Sequence, residues 1–208
     1  MSPDLWFALT DFAVVLGAGL GVWLMRGRLT ASPGLFVAVG LGLMAVAALT
    51  GTIRFATGQV EALATAHGLT SAFAGVAGLG LIVVGQALAV FGITLRARAD
   101  KVGLVIAVAV ALLMLSLPGG VALIRPLALI ILTVGVLSGV WQVIRGSAPV
   151  GALWILSWLL LGFVSVVIGG SRELSLYGIA NWHIYHVSIG IWAALTGWAT
   201  VRLVGPQD

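Results

Sequence analysis

The sequence predicts an all-α polytopic membrane protein: a seven-transmembrane helix bundle, N-terminus outside and C-terminus cytoplasmic. Three observations predict it. Of 208 residues, 61% are hydrophobic and only 8% charged, with a mean hydropathy of +1.20. A soluble domain carries about 25% charged residues, so most of this surface must face lipid. Apolar runs long enough for a span, roughly 20 residues, recur seven times between polar breaks. The basic residues are also divided unevenly among those breaks, and short loops rich in Arg and Lys stay in the cytoplasm.

The spans follow in order. The first covers about 5–25 and stops at Arg26-Gly27-Arg28. The second, 34–55, starts after Ser32-Pro33-Gly34. A polar stretch from Gly58 to Gly68 precedes the third, 69–95, which stops at Arg96 to Lys101. The fourth, 102–122, contains Pro118-Gly119-Gly120, a signal to end early or kink. Arg125-Pro126 introduces the fifth, 126–144, and Arg145 to Pro149 separates it from the sixth, 150–169. Gly169 to Tyr177 leads to the seventh, 179–201.

With the amino terminus outside, Arg26, Arg28, Arg96, Arg98, Lys101, Arg145 and Arg202 fall inside. Arg54, Arg125 and Arg172 fall outside, a seven-to-three division. No basic n-region precedes the first apolar run, which is therefore expected to remain as structure. The whole of 1–208 reads as one transmembrane domain, placed in a bacterial inner (plasma) membrane by the Arg-over-Lys bias and the absence of any soluble module. Its scattered charges suit a lipid bilayer and not a nucleic acid. Cysteine is absent, which removes disulfides and thiolate chemistry. The 29 glycines include Gly17-Ala18-Gly19-Leu20-Gly21 and Gly40-Leu41-Gly42, small-residue faces for close helix packing.

The scarce polar groups collect at one end. Asp11, Arg54, His67, His183 and His186 all fall in the layer nearest the outer face. His183 and His186 are i and i+3 and so share a helix face. With His67 they form a candidate metal set, zinc being possible. The alternative is that they bond backbone, Asp11 or water in a packed interface. A carboxylate within a span needs a partner. For Asp11 the expectation is a structural ion pair with Arg54; the sharper alternative makes Asp11 a catalytic general base. Gln86 and Gln142 are expected to bond between helices.

Several functions are excluded. Retinal needs a lysine in mid-helix for its Schiff base, and the lone lysine, Lys101, lies in a loop. Three histidines in one layer cannot ligate haems on both sides of a membrane. The apolar span centres argue against coupled transport, which places ionisable groups near the midplane.

The string Asn181-Trp182-His183-Ile184-Tyr185-His186-Val187, followed by Gly190 and Trp192, resembles the last helix of the alkaline ceramidase and adiponectin-receptor superfamily of seven-span hydrolases. It resembles still more a small bacterial membrane family distantly akin to them, which opens with a segment like Leu9-Thr10-Asp11-Phe12. The resemblance implies a zinc centre and hydrolysis of a lipid amide or ester. The helix-2 string departs from it: Gly51-Thr52-Ile53-Arg54 puts arginine where a metal-binding histidine is implied. Only His186 carries over directly.

Two functions therefore compete. One is a non-catalytic membrane component: an accessory or structural subunit of a larger membrane complex, or a binder of lipid or pigment, capped by a hydrogen-bonded polar layer. The other is a zinc-dependent hydrolase using His183, His186 and His67 or Asp11, with the metal activating water.

Overall fold

The computed structural model describes residues 3–204. Among them are seven helices long and apolar enough to cross a membrane. They are α1 (Pro3–Leu24), α2 (Ser32–Ala56), α3 (Ala64–Phe91), α4 (Ala97–Ser116), α5 (Ile124–Ile144), α6 (Ala148–Ile168) and α7 (Asn181–Leu203). The protein is thus an all-α, multi-pass membrane bundle. At 1.5 Å per residue, the 25 residues of α2 extend about 37 Å, more than a hydrocarbon core requires.

The ends of the elements follow local chemistry. Pro33 and Pro149 sit in the first turns of α2 and α6, where a missing N–H costs nothing. Gly92 adopts left-handed dihedrals and stops α3 at Phe91, short of the expected 95. α3 also begins at Ala64 and not 69, so Thr65 and His67 are helical. α4 stops at Ser116, because Leu117 is extended ahead of Pro118. Two π-helical segments interrupt the regular winding, Ala74–Gly78 within α3 and Val164–Ile168 at the end of α6. A short hairpin, β1 (Ser175–Leu176) against β2 (Ile179–Ala180), joins α6 to α7. Its turn residues Tyr177 and Gly178 both have positive φ, as a tight two-residue hairpin demands.

Glycine seams hold the bundle together. α1 lies between α2 and α7, and a Cβ on Gly17 would come within 2.0 Å of the Gly190 carbonyl oxygen. Gly21 meets Gly197 in the same seam, Gly40 meets Gly78 between α2 and α3, and Gly139 meets Gly151 between α5 and α6. A Cβ on Gly19 or Gly42, also of the expected faces, would meet nothing within 4 Å. Farther along, Trp154, Trp158 and Trp192 are fully buried, and the Trp158 indole N–H donates to Gln86 Oε1 at 2.8 Å. α4 is peripheral: 11% of its span is buried, against 44% for α3.

Candidate functional site

The site lies where the starts of α1, α3 and α7 meet the end of α2. Asp11 is its centre. A carboxylate one-third of the way along α1 has no exposure at all. The Trp182 indole N–H donates to its Oδ1 at 3.0 Å, and His186 Nε2 lies 3.4 Å from the same oxygen. Trp182 and His186 are one turn apart on α7, so a single helix face presents both. Their rings stack at 4.2 Å, and His186 Nδ1–H donates to the Trp182 carbonyl at 2.9 Å. That carbonyl can only accept, which fixes the hydrogen on Nδ1. Both ring nitrogens of His186 are therefore engaged. Asp11 Oδ2 is buried and has no hydrogen-bond partner.

Phe7 and Phe55 build the wall around this pair. Their rings lie 5.3 Å apart, and each meets Trp182 edge-on. The wall packs against the indole, whose N–H points at the carboxylate.

Arg54 does not pair with Asp11. Its Nε–H donates to the Val60 carbonyl, and its Nη1 lies 3.4 Å from His67 Nδ1. The expected ion pair is thus corrected: at the last turn of α2, the guanidinium is taken by the loop entering α3. Among the described residues, the ionisable side chain in contact with Asp11 is His186, and the contact is attractive when one proton, on Nε2 or on Oδ1, lies between them. Since a guanidinium only donates, His67 Nδ1 accepts and Nε2 bears the hydrogen. His67 is 7% exposed, so it belongs to the interior and not to the solvated surface.

Gly51 is what lets these groups approach. A Cβ there would stand 2.0 Å from Asp11 Oδ2 and 2.9 Å from His67 Nε2. Any side chain would push apart the two polar groups that α1 and α3 bring to α2.

His183 takes a separate course. It bonds Thr10 Oγ1 at 3.2 Å and stacks on Phe7 at 4.8 Å. The three-histidine metal set is therefore corrected too: His183 is committed to α1, while His186 turns to Asp11 and His67 to Arg54. Among the described residues, no group of three His, Cys, Asp or Glu side chains is disposed to hold a metal ion.

Sequence reading missed three members. Trp182 is the main partner of Asp11, and its i, i+4 spacing from His186 is the signal. Gly51 reads as one glycine among 29. The Tyr185 ring lies edge-on to His186 at 5.1 Å. Both line a cavity of about 310 Å³ that runs from the polar cluster toward Trp192.

Compared with protein families, curated proteins and solved structures, the chain matches none. The chemistry available is what the side chains themselves offer. It is a buried carboxylate held by two α7 rings, with one histidine hydrogen, on His67 Nε2, left to donate.

Proposed function

We propose that this chain is a non-catalytic integral membrane component, an accessory or structural subunit of a larger assembly in the plasma membrane, with the Asp11 cluster on the extracytoplasmic side. One observation carries the reading: Asp11 Oδ1 is shared by Trp182 and His186, and the second nitrogen of His186 is held by backbone. A general base or a metal ligand needs a free lone pair facing a reactant. Here Oδ1 of Asp11 and both nitrogens of His186 are engaged in tying α1 to α7. Among the described residues, the remaining oxygen, Oδ2, is buried against Gly51 with no reactant-sized space beside it.

The competing reading, a zinc-dependent lipid hydrolase, needs imidazoles that these contacts have diverted. Gentle solubilisation followed by native gel electrophoresis and mass spectrometry tests the proposal. Co-migration of the unaltered chain with a larger membrane protein, with no zinc bound, supports it. One zinc per chain that is lost in His186→Ala, together with release of fatty acid from a lipid amide or ester, overturns it.

A further inference from the structure

The cavity beside the cluster is not needed for a structural cap. At about 30 Å³ per water-sized group, its roughly 310 Å³ hold on the order of ten such groups. Val14, Met44, Leu79, Ile189 and Trp192 form apolar walls. His67, Ser71, Ser165, Tyr185 and His186 supply its polar lining. Ser71 and Ser165 are exposed although both lie within membrane spans, so the mouth opens toward the bilayer between α3 and α6.

A second, independent observation singles out this space. Both π-helical segments border it: Ala74 and Gly75 from the one, Ser165 from the other. Such insertions cost regular hydrogen bonding and recur at functional sites. Here each displaces a helix segment around the same cavity.

We infer that this cavity binds an uncharged bilayer amphiphile, its head presenting an oxygen to His67 and its hydrocarbon tail lying against Trp192. The head is uncharged because, among the described residues, no carboxylate or guanidinium lines the cavity. Arg54 is turned to Val60 and His67, and Asp11 is held by Trp182 and His186 behind the lining. A carboxylate or ammonium head would enter a low-dielectric space without a counterion. His67 Nε2–H is a fixed donor, so the head must accept a hydrogen bond. An alcohol or ketone head does so. The inference holds whether or not the chain has catalytic activity.

Bromine quenching of tryptophan fluorescence in lipid nanodiscs tests it, with 11-bromo-1-undecanol as probe. Trp192 lines the cavity and is fully buried, so it reports occupancy. Saturable quenching that disappears in Trp192→Phe is expected. A Cβ on Gly75 meets only Ile124 Cγ2, at 3.9 Å. Gly75→Val should therefore fill the cavity and weaken binding about tenfold or more, and the gentler Gly75→Ala should weaken it by less. His67→Phe should weaken it about fivefold, as loss of one hydrogen bond predicts. 1-Bromoundecane, which lacks that hydrogen bond, should bind at least about fivefold more weakly than the alcohol, and 11-bromoundecanoic acid should show no saturable component. The proposal falls if the alcohol never saturates, or if its saturable quenching survives Trp192→Phe or is unchanged in both Gly75 variants. It also falls if the acid or the headless bromide saturates as tightly as the alcohol.

Discussion

Trp182 and Asp11, 171 positions apart, meet through a 3.0 Å hydrogen bond that closes the last span onto the first. Trp182→Phe keeps the ring and removes the donor. It should lower the unfolding free energy by about 1–3 kcal/mol, the usual cost of stranding a buried acceptor. Asp11→Ala should cost more, about 3–5 kcal/mol, since it leaves both α7 partners facing apolar surroundings. Thermal unfolding in detergent, followed by tryptophan fluorescence, measures both.

A double-mutant cycle separates the observed partner of Asp11 from the expected one. Asp11→Ala with Trp182→Phe should show coupling of about 1 kcal/mol, as residues in direct contact do. Asp11→Ala with Arg54→Gln should couple less, because Arg54 is bonded to Val60 and His67. Larger coupling to Arg54 would restore the ion pair read from the sequence.

The α1–α7 seam predicts opposite outcomes for neighbouring glycines. Gly17→Ala drives a methyl into the Gly190 carbonyl and should cost about 1–3 kcal/mol. Gly19→Ala, with nothing within 4 Å, should be neutral or slightly stabilising through helix propensity. Yield of folded protein and its melting temperature distinguish them.

Metal content tests the diverted histidines. Because His183 is held by Thr10 and Phe7, elemental analysis of the purified chain should find zinc far below one per molecule. His183→Ala should leave that figure unchanged.

The absence of cysteine makes orientation directly measurable. A single cysteine replacing Tyr177, 97% exposed on the hairpin, should react with an impermeant maleimide added to intact cells. One replacing the exposed Arg98, in the first turn of α4, should react only after lysis.

The seven spans were legible because a span is a statement about composition, and composition is local. Their ends were read unevenly: Pro118 announced the early stop of α4 at Ser116, whereas Gly92 ends α3 through a left-handed dihedral that the apolar run around it does not advertise. The polar layer was legible as a layer: Asp11, Arg54, His67, His183 and His186 do share one end of the bundle. Who pairs with whom was not. Pairing depends on how α7 is rotated against α1, and that rotation is set by Gly17 against Gly190 and Gly21 against Gly197. Charge complementarity suggested Arg54 for Asp11. An indole N–H, uncharged and on the last helix, took the place instead. The cavity was hidden for a related reason, since it is enclosed by residues from several helices, with a π segment from each of two bordering it.

That first-to-last closure also sets a schedule for biogenesis. At about 5–20 residues per second, on the order of ten seconds or more separate the synthesis of Asp11 from that of its indole partner. A nascent chain halted before α7 would hold an acidic group in the bilayer without either ring that stabilises it. Completion of the last helix is therefore the event that turns an unstable insertion intermediate into a finished protein.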